Sequence, residues 1–375
     1  MDNLTHSLVA ASLGRAGLSD KIPGGTFSLI VAANLADLDI VASFWGNLYY
    51  LAHHRGITHS IVGTAGLAAL LVAVLWLVGR FRGHPASLAR IALAVGLTAA
   101  THPLLDLTNS YGLRPFLPFT DHWYYGDLVF IIDPYIWLLL GGTLFVTGTR
   151  SRLTTALWLA GGALASAVVL FGAVNLGLWL TLAIWVAGLA AAVLVRRNGL
   201  RPVSWAGGAL AVVVMYWGLL AVVHWETLRR YYPEVQARYP SATREAVSAI
   251  PRAANPLEWD LYVELPNEIG YALGSSFSDD RPEFETTPRN TQHPAAVAAM
   301  ATCPGAVFTH FARFEVFEVE ETGDGPIVTI KDVRFARLAR NRGFGTVSIR
   351  PDSASEIPCP GKPTRREDDL RMSRK

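Results

Sequence analysis

Six apolar stretches constrain this chain more than any other feature, at residues 57–79, 88–107, 128–147, 153–174, 176–195 and 205–224. Crossing a hydrocarbon core of roughly 30 Å takes about 20 helical residues, and these stretches are of that order. In lipid the backbone must satisfy its own hydrogen bonds, so such segments fold as helices. The last three contain almost no polar groups. Their small-residue strings, Ala160-Gly161-Gly162-Ala163 and Gly207-Gly208-Ala209, suit close helix contact. A soluble core would have to absorb all of these runs at once, which makes it the poorer reading.

Composition agrees, with 51% hydrophobic and 17% charged residues. Charge is sparse between Ile57 and Trp225 and frequent from Glu226 onward. The chain therefore divides into a transmembrane domain over 1–225, a soluble α+β domain over 226–350 and a disordered tail over 351–375. Residues 1–17 lack the cationic start and long apolar run of a cleavable signal peptide. A net charge of +2 says nothing about nucleic acid, but the arginines fall mostly in short loops or the tail and build no basic face, so no nucleic-acid partner is expected. Cys303 and Cys359 are too few for a zinc site; they form either one disulfide in an oxidising compartment or two separate thiols.

Arginine placement sets the orientation. Arg80, Arg82 and Arg90 flank the first connection, Arg150 and Arg152 the third, and Arg196, Arg197 and Arg201 the fifth, whereas the second has only Arg114 and the fourth none. The basic loops belong in the cytoplasm. The N-terminal segment, the 108–127 loop and the C-terminal domain then share the other side. Residues 27–44 carry Asn34, Asp37 and Asp39 in their middle, which is expensive in lipid, so residues 4–44 read as a re-entrant or interfacial helix pair rather than a seventh span. Beyond 224, residues 226–238 extend the sixth helix and 241–249 read as a short second one. Alternation at 259–264 and 311–320, with a turn at Gly323-Asp324-Gly325 before 327–330, predicts strands and a hairpin within an antiparallel sheet domain over 251–350. The expected fold is an all-α polytopic membrane bundle of about six transmembrane helices, preceded by interfacial or re-entrant helices and followed by a small, mainly antiparallel β domain.

The chemistry-bearing residues gather in 2–133, where seven of the ten histidines lie. His102 and Asp106 are four apart and share a helical face, and Asp2 and His6 have the same spacing. His54 and His59 stand at the start of the first span, His102 and Asp106 at the end of the second. In the six-span topology those ends meet, and one metal ion would satisfy all four ionisable groups. Asp2, His6, Asp37 and Asp39 would complete that site or build a second. Asp37 and Asp39 are two apart, so a local break or two distinct roles is implied. Imidazole and carboxylate together suit a divalent ion such as Zn, Mn, Fe or Ni, one or two in number. Water activated by such an ion attacks esters and phosphoesters near neutral pH, with an Asp or a His as general base and Arg55 or Arg114 on a phosphate. Bland roles compete. Asp2 is placed to cap a helix, and Asp127 and Asp133 fit a cap and an Asp-Pro turn. His53, His84, His122, His224, His293 and His310 fit structural or surface roles.

Asp2-x-x-Thr5-His6, Asp37-x-Asp39, His54-Arg55-Gly56-x-Thr58-His59-Ser60 and His102-Pro103-x-x-Asp106, with Gly112, Pro115, Gly126-Asp127 and Asp133-Pro134, resemble a bacterial and archaeal family of membrane-bound proteins described as metal-dependent hydrolases, also labelled LexA-binding and inner-membrane-associated. The likeness covers roughly residues 1–145, and the sheet domain matches only loosely through Asn255-Pro256-Leu257-x-Trp259. Ala36 stands before Asp37 where the family has Pro. The resemblance implies a multi-pass inner-membrane protein with a metal-dependent hydrolase site and no established substrate. Its LexA-binding label implies a cytosolic partner, which does not suit an outward-facing site and is not carried over. The expected function is an integral membrane hydrolase acting on an ester or phosphoester, lipid-linked or small, at the membrane surface. Asp37, Asp39 and Arg55 are its candidate catalytic groups. His54, His59, His102, Asp106, His6, Asp2, Asp37 and Asp39 are its candidate metal ligands. An ion transporter and a non-catalytic metal-stabilised scaffold are the alternatives.

Overall fold

A computed structural model describes residues 1–83, 86–148, 151–198, 204–277, 281–336, 345–351 and 359. His84, Arg150, Arg201 and nearly all of the 351–375 tail lie outside the described residues.

The chain opens with a helical hairpin, α1 (Asn3–Leu13) and α2 (Thr26–Asn34), which pack on each other. The Asp2 carboxylate caps α1 by accepting from Thr5 N–H at 3.0 Å. Arg15, just past α1, donates to the Thr147 carbonyl. The hairpin therefore reaches as deep into the bundle as the far end of the helix that Thr147 terminates. After α2 the chain bends by 53° into a 3-10 helix, Ala36–Trp45. The expected re-entrant or interfacial pair thus appears as this buried hairpin followed by a broken segment.

Five described helices are long and apolar enough to cross a membrane: α4 (Ile61–Phe81), α5 (Leu88–Leu107), α7 (Arg152–Leu176), α8 (Trp179–Arg197) and α9 (Trp205–Arg238); the bent pair makes a sixth if it counts as one span. A short α3 (Asn47–His53) precedes them. Only 11%, 17% and 17% of the apolar windows of α4, α7 and α8 are buried, so their leucine-rich surfaces face lipid. The expected third span differs. Helix α6 runs Pro134–Thr147, 14 residues instead of 128–147, because Asp133 caps it by accepting from Tyr135 and Ile136 N–H at 2.8 and 3.1 Å and Pro134 supplies its preset first turn. Leu128 and Val129 instead donate to the Thr108 carbonyl. Helix α6 is central rather than peripheral: Ile136, Leu140 and Leu144 join Leu8, Val9 and Leu105 in one core with α7 and α9 residues.

Helix α9 continues without a break from the apolar 205–224 stretch to Arg238. A four-stranded antiparallel sheet follows, β1 (Val247–Arg252), β2 (Asn255–Glu264), β3 (Glu268–Ser275) and β4 (Glu285–Pro288). Residues 241–249 therefore do not form the expected helix: from Val247 they pair with β2, Val247 opposite Val263 and Ala249 opposite Leu261, and that pairing outweighs local helical preference. After α10 (Pro294–Ala301) and α11 (Cys303–Phe311) comes a second, three-stranded sheet of β5 (Glu315–Thr322), β6 (Gly325–Asp332) and β7 (Thr346–Ile349), with a short α12 (Val333–Ala336) after β6. The 311–320 alternation is strand only from Glu315, because Thr302 caps α11 and the helix consumes Phe311. The hairpin at Gly323 forms as expected, with Thr322 opposite Gly325. Cys303 and Cys359 are disulfide-bonded.

The β domain is bolted to the membrane domain through the 108–127 loop. Arg334, on α12, is fully buried, pairs with Asp332 at 2.9 Å and donates to the Ser110 carbonyl at 2.6 Å. Arg313 donates to both oxygens of Asp127 at 2.8 and 3.1 Å. His310 and Arg114 share the Asp121 carboxylate at 3.1 and 2.9 Å. Replacing Arg334 with Met should destabilise the protein by about 3–5 kcal/mol, because the buried Asp332 charge loses its partner. Thermal unfolding in detergent checks this; an unchanged midpoint would show that the two domains do not depend on that contact.

Candidate metal centre

Four loops and helix ends converge beside the α1–α2 hairpin. His59 sits in a one-turn 3-10 helix, Ile57–His59, ahead of α4. Ser60 starts α4 by accepting from Gly63 N–H at 3.0 Å. Gly56 is required there, since a Cβ would lie 2.6 Å from the His53 carbonyl. Arg55 adopts a φ of 52°, a left-handed conformation uncommon outside glycine. Its N–H donates to Asp39 at 2.9 Å. His102 and Asp106 project from α5 as the (i, i+4) pair that their spacing predicts.

The ligand-capable atoms form a compact set. His59 Nε2 lies 3.1 Å from His102 Nε2, 3.4 Å from Asp37 Oδ1 and 3.4 Å from Asp106 Oδ2. His102 Nε2 lies 3.5 Å from Asp37 Oδ1 and 3.4 Å from Asp106 Oδ2. Ligands about 2.0–2.1 Å from a tetrahedral ion stand about 3.3 Å from one another, and each carboxylate keeps this spacing from both imidazole nitrogens. The imidazole tautomers agree. His102 Nδ1 is 2.6 Å from the Ala33 carbonyl, which accepts only, so Nδ1 carries the proton and Nε2 presents a lone pair. His59 Nδ1 lies 3.3 Å from Asp39 Oδ2, which orients it the same way. When both rings are neutral, two lone-pair nitrogens 3.1 Å apart cannot hydrogen-bond to each other, and a cation between them would resolve the contact. Burial first, then Asp39 and Asp37, pushes the nearby Tyr50 phenol up to about 12, so it stays protonated.

A second grouping of His6, His102 and Asp106 shares part of this set. The His6 ring stacks on His102 with centroids 3.8 Å apart, and its Nε2 is 3.4 Å from Asp106 Oδ1. Both His6 nitrogens are buried without a hydrogen-bond partner among the described residues. A buried imidazole in that condition is costly unless it ligates. The donor set therefore fits a divalent cation.

The candidates separate into layers. Asp37 and Asp39 straddle the His59 ring, Asp37 toward Nε2 and Asp39 toward Nδ1, which realises two distinct roles. Asp39 also lies 3.2 Å from His54 Nδ1, so His54 sits one residue removed from the convergent atoms. Asp2 caps α1 and accepts from Trp137 Nε1 at 3.2 Å, apart from the cluster. Asp133 is the α6 cap, and Tyr216 OH donates to it at 3.0 Å. Arg55 donates to Asp106 at 3.1 Å, Asn109 at 3.0 Å and the Gly112 carbonyl at 3.1 Å, and Arg114 reaches the Ala52 and His54 carbonyls beside Asp121, so both arginines hold protein groups. Sequence reasoning passed over Asn3, which donates to Asp37 at 2.6 Å, and Asn109. The Met1 α-amine contacts Asp106 Oδ1. Asn109 alone had a signal, lying one helical turn after Asp106.

Residues 1–176 match the family model described as YdjM inner membrane protein. That likeness covers just under half of the chain. This is the family that the histidine and aspartate motifs resemble, and the match contains every group of the cluster. The uncharacterized protein YfhP of Bacillus subtilis (strain 168) is 28% identical over 172 residues, covering 43% of this chain and 47% of that protein. The chain thus spans about half the length of the curated relative it matches. No solved structure matches it. The chain is a multi-pass membrane protein that is similar to this family over residues 1–176, and its buried cluster is its candidate metal centre.

Replacing Asp39 with Asn should weaken divalent-metal affinity about 10–100-fold through loss of His59 orientation. Calorimetric titration with Zn²⁺ measures it, and unchanged affinity would remove Asp39 from that role.

Proposed function

We propose that this protein is an integral membrane hydrolase that uses a divalent metal, Zn, Mn or Fe, to cleave an ester or phosphoester. The carrying observation is the approach of His59 Nε2 and His102 Nε2 to each other at 3.1 Å, with Asp37 Oδ1 and Asp106 Oδ2 each 3.4–3.5 Å from both. When bound, such an ion supplies Lewis acidity and an acidified water. The protein's own groups do the rest. Asp39 holds the His59 tautomer, and Arg55 balances and fixes Asp106. His54, tied through Nδ1 to Asp39, leaves Nε2 to move a proton in the adjoining cavity, which it lines. Hydrolysis adds the oxygen of water to the acyl carbon or phosphorus, breaks the bond to the alcohol oxygen and delivers a proton to that oxygen. The cluster lies between the start of α4 and the end of α5, whereas a transport site is expected near mid-bilayer between repeats. That placement favours hydrolysis over ion passage.

We also place the C-terminal domain on the non-cytoplasmic side. Arginine distribution supports this, as does the Cys303–Cys359 disulfide, a bond that persists in oxidising compartments. A cytosol-only reporter fused after Lys375 should be silent, and its activity would reverse the orientation.

Metal analysis of the purified protein beside His59→Ala and Asp106→Ala tests the site. The wild type should retain divalent metal and both variants should lose most of it; full retention in both would sink the assignment. Metal-dependent turnover of p-nitrophenyl esters or bis-p-nitrophenyl phosphate should fall at least about 100-fold in His59→Ala. Bound metal with no turnover of any ester or phosphoester would instead favour a metal-stabilised scaffold.

A further inference from the structure

The metal centre opens into a cavity of about 700 Å³ whose walls come from both domains. Its volume lies in the range that encloses a drug-sized ligand. Asp37, Asp39 and His54 of the cluster line it. Another part of its lining belongs to the sheet domain, from the β1–β2 turn around Arg252 and Ala253 to Tyr271. A third wall comes from the membrane domain and is apolar: Ile40, Phe130, Ile131, Leu176 and Leu178.

That apolar wall continues onto exposed apolar surface. Ile40 lies on the broken segment and is 55% exposed, with Phe44 on the same segment at 85%. Leu176 ends α7, and Trp179 at the start of α8 is 60% exposed. Such a run of large exposed apolar groups beside membrane helices marks contact with the bilayer. The cavity is thus apolar toward lipid, polar toward the cluster and roofed by a charged sheet, where Arg252 sits 2.8 Å from Glu258. A small water-soluble substrate has no use for the apolar wall, and a purely apolar one has none for the cluster.

We propose that this cavity takes a membrane amphiphile, one whose ester or phosphoester lies near its headgroup, and that it is reached sideways from the bilayer past Ile40 and Leu176. The headgroup sits beneath the β1–β2 turn while the chain stays along the apolar wall. The sheet domain is then part of the substrate site and not an appendage to it. Cleavage of that amphiphile rests on the hydrolase reading above; its presence in the cavity does not.

The test uses the full chain in phosphatidylethanolamine/phosphatidylglycerol vesicles, with a photo-crosslinking residue at Ala253 or, independently, at Arg252. Both lie on the β1–β2 turn, where the Ala254 carbonyl accepts from Tyr135 and Thr181 of the membrane domain, so the Ala253→Trp variant is what separates cavity occupancy from ordinary bilayer contact. Asp324, in the β5–β6 turn and 85% exposed on its side chain, is the reference. Mass spectrometry should find phospholipid adducts at 253 and 252 at least tenfold above those at 324. Ala253→Trp, which fills the cavity, should lower the adducts at 252 by a similar factor. Adducts at 252 and 253 no higher than at 324 would overturn the proposal, as would adducts at 252 that Ala253→Trp leaves unchanged. Adducts in a protein that holds no metal would refute the hydrolase reading and leave the cavity's occupant standing, while bound metal without adducts would do the reverse.

Discussion

The buried carboxylate of Asp106 is the charge on which the rest of the N-terminal structure turns. At membrane depth an uncompensated anion is prohibitive, so everything that can approach it does. His59 and His102 face one oxygen, and His6, Arg55 and the Met1 α-amine face the other. These groups come from α1, from the turns before α4 and from α5 itself. Satisfying one residue therefore fixes the packing of three separate segments, and Asp37, held by Asn3, closes the set from the broken segment.

The same charge reaches the C-terminal domain through a relay of contacts. Arg55 lies under the Tyr111 ring at 4.5 Å, and Tyr111 meets Phe311 at 5.1 Å. Arg334 binds the carbonyl of Ser110, next in the chain to Tyr111, and the Gly112 carbonyl returns to Arg55. Gly112 takes a φ of 94° with Tyr125 close against it, a position that a side chain would not share. The sheet domain thus braces the loop that braces the arginine that balances the aspartate. A metal centre needs such outer support if its ligands are to stay within tenths of an ångström of their working positions.

Much of this was legible in the sequence, and the misses have physical causes. The membrane helices announce themselves because a run of about 20 apolar residues suits the bilayer and little else. The 128–147 stretch misleads because Leu128 through Ile132 are apolar enough for a span, yet Asp133-Pro134 is a stronger local start signal than hydropathy can register. Residues 241–249 carry helix formers such as Ala246 and Glu245, but strand pairing is a non-local gain that no short window contains. At the site, His102 and Asp106 were readable from their spacing. Asp2 and His6 share that spacing and part company, because Asp2 is the cap outside the helix while His6 lies within it. His54 looked equivalent to His59; the turn at Arg55 and Gly56 sends them to different sides of Asp39, and turn geometry is invisible to residue type. The partner of His102 is the backbone carbonyl of Ala33, which carries no sequence signature at all.

The central claim is that the two Nε2 lone pairs converge on one ion. X-ray absorption at the zinc edge of the metal-loaded protein reads this directly. The account predicts a shell of nitrogen and oxygen at about 2.0–2.1 Å with the outer scattering of at least two imidazoles. A shell with no imidazole scattering would contradict it.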